Sequence, residues 1–159
     1  MREHYFEDYA VGQTFQGGPL PPLTAEQIKA FAAEFDPQPF HLDEAAAERS
    51  IFKGLAASGW HTAALTMRLF VGSDVTPAGG YVGAGGEDMR WPQPTRPGDS
   101  LRLAIQVLET RPSRSRPELG IVKMQLTTTN QRGEILQLVK PVMMVPRRPV
   151  ASPEPAPSR

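Results

Sequence analysis

The run Ser58-Gly59-Trp60-His61-Thr62-Ala63-Ala64-Leu65-Thr66-Met67-Arg68-Leu69-Phe70-Val71 decides the fold. Trp60, Ala63, Ala64, Leu65, Met67, Leu69, Phe70 and Val71 leave little polar face, and a helix apolar nearly all round is buried inside something. Gly72-Ser73 ends the run, well short of the roughly 18 apolar residues of a membrane span. Downstream the character changes. Residues 81–91, 101–110, 121–130 and 134–145 are rich in alternating or β-branched apolar residues and read as strands. Leu101, Leu103, Ile105 and Val107 alternate with Arg102, Ala104 and Gln106, and the stretches 95–99 and 130–133 carry turn residues. Pro141 sits poorly in a central strand, so an edge or a bulge is expected there.

Upstream, Thr14–Gln16 is a candidate short strand. Residues 17–22, Gly-Gly-Pro-Leu-Pro-Pro, form a connection. Thr24-Ala25-Glu26-Gln27 matches a capping box. Ile28, Phe31, Ala32 and Phe35 follow at helical spacing, so a helix runs to Phe35, where prolines stop it. Asp43 is a good N-cap for a second short helix over residues 43–49. Helices first, then antiparallel strands, with one very apolar helix, indicate an α+β domain whose sheet wraps that helix. The expected domain covers residues 1–146, and the proline-rich residues 147–159 are expected to be a disordered tail.

Composition narrows the function. The 159 residues suit one domain, and 40% hydrophobic content supports a core. Lys plus Arg and Asp plus Glu both total 17, so charge gives no reason to expect nucleic acid or an anionic membrane as partner. No cysteine is present, which excludes disulfides, thiolate metal sites and a cysteine nucleophile, and is compatible with a cytoplasmic protein. The N-terminal residues lack the apolar run of a secretory signal.

The chemistry centres on Phe35-Asp36-Pro37-Gln38-Pro39-Phe40-His41. Two prolines bias Asp36 and Gln38 toward extended backbone, so the segment is expected to be a stiff loop rather than helix. It carries an acid and a base that can share a water. Burial beside an apolar chain is expected to raise the pKa of Asp36. No second His lies at ligand spacing, so no metal is expected.

Asp36-Pro37-Gln38-Pro39-Phe40-His41-Leu42-Asp43 resembles the Gly-Asp-x-Asn-Pro-x-His signature of the MaoC-like dehydratases and R-specific enoyl-CoA hydratases. The Ser58-Gly59 helix start stands where that family has His-Gly, and residues 91–99 resemble the strand and turn that follow its central helix. Phe35, Gln38 and Ser58 depart from the family's Gly, Asn and His, which points to a subgroup whose substrate is not the ordinary short straight-chain enoyl-CoA. The resemblance implies a hotdog fold, usually dimeric, and acyl-CoA or acyl-carrier thioester substrates. It implies no cofactor beyond coenzyme A carried by the substrate.

Hydration of a 2-enoyl thioester needs a base for water, an acid for carbon and donors for the enolate oxygen. Asp36 and His41 are the candidate acid/base pair. The resemblance suggests Asp36 as base, while the residues alone leave the roles open. Gly59 is the candidate oxyanion donor, because the first N–H groups of a helix lack intrahelical partners and glycine adds no obstructing side chain. Gln38 and Ser58 are expected near the site, chiefly in structural roles. Trp60, Leu65 and Met67 are candidates to border the acyl pocket. Arg90 is the first candidate among the arginines, which include Arg96, for coenzyme A phosphates. A hotdog thioesterase and a non-catalytic acyl-thioester-binding module are the alternatives.

Overall fold

The computed structural model describes residues 2–151. A 3-10 turn at Phe6–Asp8 precedes strand β1 (Thr14–Gly17), helices α1 (Ala25–Phe35), α2 (Pro39–Leu42), α3 (Glu44–Glu48) and α4 (Gly59–Val71), and strands β2 (Val82–Arg90), β3 (Arg102–Pro112), β4 (Leu119–Thr129) and β5 (Ile135–Pro146). The strands form one antiparallel sheet in the order β1-β3-β4-β5-β2. α4 packs on its inner face, which is the hotdog arrangement. No helix among the described residues is long and apolar enough to cross a membrane.

The alternation seen in the sequence sets the core. Val122, Met124 and Leu126 of β4 point inward with Leu103, Ile105 and Val107 of β3, and Leu69 and Phe70 of α4 join them in one buried cluster. Each fully buried side chain of this kind contributes about 1.5–3 kcal/mol. A second cluster holds the helical layer: Leu23, Ile28, Ala47, Leu55 and Ala57 are buried together, with Phe40 and Leu65 against them.

The local signals act as their chemistry requires. The Thr24 hydroxyl accepts from the Gln27 N–H at 3.1 Å, and Gln27 Oε1 accepts from the Thr24 N–H at 2.9 Å, closing the capping box of α1. Asp43 Oδ1 caps α3 by accepting from the Ala46 N–H.

Four expectations change. Residues 39–42 are a helical turn, not a loop, because Pro39 occupies the first helical position, where its missing N–H costs nothing. Phe35 is 64% exposed, although its periodicity put it on the buried face of α1; its ring lies 5.0 Å from that of Phe31. Pro141 lies in β5, an interior strand between β4 and β2. It pairs with Gly86 on one side, and the β4 ladder skips it, passing from Lys123–Val142 to Leu126–Val139, so its absent donor falls in a gap. Finally, α4 is not covered all round: Trp60, Met67 and Val71 are 61%, 37% and 46% exposed along one stripe.

Of the expected tail, residues 152–159 lie outside the described residues. Arg147 and Arg148 are held by Glu7 and Asp8 of the N-terminal turn.

Candidate active site

Asp36 ends α1 as its C-cap, at φ −153° and ψ 67°, its N–H donating to the Ala32 carbonyl. The chain then turns through Pro37 and Gln38 into α2, and that helical turn swings His41 back toward Asp36. His41 Nε2 lies 3.3 Å from Asp36 Oδ2. His41 is 4% exposed, its imidazole packed edge-on against Phe40.

Hydrogen bonds fix the ring's tautomer. His41 Nδ1 lies 2.6 Å from the Ala56 carbonyl oxygen. A carbonyl only accepts, so Nδ1 carries the hydrogen, and Nε2 is the nitrogen that takes up or gives back a proton.

Asp36 itself is heavily engaged. Gln38 Nε2 donates to Oδ1 at 2.5 Å, and the Ser58 hydroxyl donates to Oδ2 at 2.7 Å. Partial burial pushes the carboxyl's pKa up, but these two donors and the nearby imidazole more than offset it and hold the pKa below the usual value. This corrects the expectation of a raised pKa. The acid is kept ionised because its neighbours donate hydrogen bonds to the charged form.

Ser58 is fully buried and serves α4 as well. Its Oγ accepts from the Trp60 N–H at 3.2 Å while donating to Asp36. It therefore fastens the acid to the start of the central helix. Gly59 follows as the first helical residue, and its N–H has no hydrogen-bond partner among the described residues.

A cleft of about 770 Å³ runs over these groups, lined by Asp36, Gln38, His41, Gly59 and Trp60, among others. Three other candidates lie elsewhere. Leu65 faces the two apolar clusters under the helical layer. Met67 is on the exposed stripe of α4. Arg90 opens on a separate depression with Asp88 and Lys140. For Leu65 the reason is angular: at 100° per residue it points well away from both Gly59 and Trp60. Met67 shares the direction of Trp60 but lies two turns, about 10 Å, farther along the helix.

Several cleft residues escaped the sequence reading. Phe40, Ile51 and Phe52 supply apolar wall, and Trp91 stands over Gly59. Arg96 was a candidate for phosphate, but its guanidinium donates to the carbonyls of Phe52, Gly54 and Leu55 and so ties down the loop leading to Ala56. The Asp99 carboxylate holds that arginine's turn by accepting from the Arg96 N–H at 2.8 Å. A tryptophan beside a proline at a strand end is a signal for Trp91; the other placements depend on tertiary contacts.

The chain belongs to the MaoC-like domain family, whose sequence model matches residues 8–130. It is similar to the solved MaoC-like dehydratase of Rhodospirillum rubrum, at 54% identity and TM-score 0.88 over 92% of this chain and 99% of that one. It is similar to the unliganded R-hydratase PhaJ1 of Pseudomonas aeruginosa, at 26% identity and TM-score 0.72 over 98% and 96% of the two chains. A curated relative, the mesaconyl-CoA hydratase of Haloarcula marismortui, is 31% identical over 153 residues, 94% of this chain; the match spans only 42% of that protein's length.

Proposed function

We propose that this protein is an acyl-thioester hydro-lyase that reversibly hydrates a 2-enoyl-CoA, or dehydrates the (R)-3-hydroxyacyl-CoA. The observation that carries the reading is the 3.3 Å approach of His41 Nε2 to Asp36 Oδ2 in a cleft that Gly59 also lines. Hydratases among the relatives support it, and the R-hydratase supports the R hand.

In the hydration direction the water oxygen bonds to C3 as the pair takes one of its protons. The C2–C3 double bond becomes an enolate whose oxygen receives the Gly59 N–H, at the positive end of the α4 dipole. The pair then returns a proton to C2, leaving enzyme and proton count unchanged. That proton belongs to Asp36 and His41 jointly. These groups suffice without a cofactor, coenzyme A being part of the substrate.

The same reading includes a homodimer, supported by the exposed stripe of α4, and a cytoplasmic setting, where coenzyme A thioesters are made and used. Incubation with crotonyl-CoA tests the chemistry. Loss of the enoyl absorbance without free thiol is the expected result; release of thiol indicates a thioesterase. Binding of acyl-CoAs without turnover on a broad panel indicates a binding module. Asp36→Asn and His41→Ala are each expected to lower turnover at least about a hundredfold with little change in Tm. Wild-type rates in both variants overturn the assignment.

A further inference from the structure

The chain's two tryptophans stand together at the cleft, their rings 5.6 Å apart and edge to face. Trp91 makes the more specific contact. Its indole packs on the α-carbon of Gly59, so closely that a Cβ there would lie 2.7–2.9 Å from Cε2, Cζ2 and Cδ2. Glycine at this position is thus the room that the indole occupies.

The other edge of the indole is anchored from below. Trp91 Nε1 donates to Gln137 Oε1 at 2.8 Å. Gln137 is 1% exposed, and its Nε2 donates to Thr66 Oγ1 at 3.2 Å. Thr66 Oγ1 in turn lies 2.7 Å from Thr128 Oγ1. An inward-facing position of β5 ordinarily takes an apolar residue, since burying an amide is unfavourable unless it is fully bonded. Here the amide's one tie toward the cleft is to a ring that is itself 42% exposed. Its effect is to hold that ring still.

We propose that Trp91 is the wall that limits the acyl chain, that Gln137 is the residue positioning it, and that the substrates are compact 2-enoyl thioesters, branched ones included. This rests on the hydratase reading. A thioester oxygen held at the Gly59 N–H puts C2 and C3 beside the Asp36–His41 pair, and an acyl tail continuing past Gly59 along α4 meets the indole. Removing the ring opens space toward Thr66 and Gln137.

The test is the ratio of kcat/KM for octenoyl-CoA to that for the better of crotonyl-CoA and its 2-methyl analogue. Wild type is expected to favour the compact substrate. Trp91→Leu is expected to raise the ratio at least about tenfold, the scale at which a pocket discriminates by apolar bulk. Gln137→Met, similar in shape but without the acceptor, is expected to raise it severalfold, and to add nothing in the Trp91→Leu background. If Trp91→Leu does not fold, Gln137→Met with an intact melting curve decides alone.

A wild type as efficient with octenoyl-CoA as with the compact substrates overturns the proposal, as does an unchanged ratio in folded variants; in both cases the hydratase reading stands. Absence of turnover with every enoyl thioester removes the hydratase reading first, and this one with it.

Discussion

Ser58 Oγ links Asp36 to the first turn of α4, and its removal has two separable effects. Loss of the N-cap in Ser58→Ala is expected to cost about 1 kcal/mol of stability. Loss of the donor to Asp36 lets the carboxyl's pKa rise, so the acid limb of kcat/KM moves to higher pH, while Ser58→Thr keeps the hydroxyl and the acid limb, at some cost in stability for a methyl group in a fully buried site. The sign for stability is the same. Because the folded-state pKa of Asp36 is depressed, its contribution is present above the ordinary carboxylate pKa and is lost as pH falls through the lower folded value. Acid unfolding of Ser58→Ala therefore begins at higher pH than in wild type. An acid limb unmoved in Ser58→Ala contradicts the role given to this hydroxyl. The spacing of Asp36 and His41 made the pair legible in the sequence. The direction of the pKa shift was not, because one of the deciding donors stands 22 residues away and reaches Asp36 only in the fold.

α1 delivers Asp36 from its last turn, while its N-terminal capping box is remote from the cleft. Thr24→Ala is thus expected to lower stability by about 1 kcal/mol, read as a lower Tm, with the kcat/KM of the folded enzyme unaltered. A comparable loss of turnover in a folded variant would mean that fraying at Thr24 reaches Asp36. The capping box, the limits of α4 and the four long strands were readable because each is written in neighbouring residues. Pro141 shows where such reading stops. A proline's cost depends on which neighbour needs its N–H, and here the ladder gap that spares it is set by the pairing of β5 with β4. Leu65 and Met67 lie off the cleft for a related reason: the composition of α4 does not say which of its sides is covered or how far along it the cleft extends. Gly59→Ala bears on the same contact between elements. Its Cβ would have to displace the Trp91 ring, so reduced turnover should come with a changed near-ultraviolet tryptophan circular dichroism signal. Reduced turnover with an unchanged signal would mean that the indole does not pack there.

Across the whole molecule, one chain leaves unfinished what its sequence treats as interior. α4 reads as apolar nearly all round, yet Trp60, Met67 and Val71 form an open stripe on it, and Ile51 on the cleft rim is 91% exposed. The strand order β1-β3-β4-β5-β2 places β2 at an edge with every residue exposed and two interruptions in its register. Such bulges discourage indiscriminate pairing along an edge, and the helix stripe offers a contiguous apolar surface for a partner to cover. A second copy would meet that need, since a two-fold axis would bring the same stripe to itself. We expect light scattering at micromolar concentration to give twice the chain mass of 17.4 kDa. Met67→Glu, which buries a carboxylate against its own symmetry mate, should shift that mass toward the monomer. Because Trp60 belongs to both the stripe and the cleft lining, turnover should fall as the dimer dissociates and recover as protein concentration is raised. A wild-type protein that is monomeric and fully active, or a Met67→Glu variant that stays dimeric, would show that the exposed face of α4 is not where the copies meet.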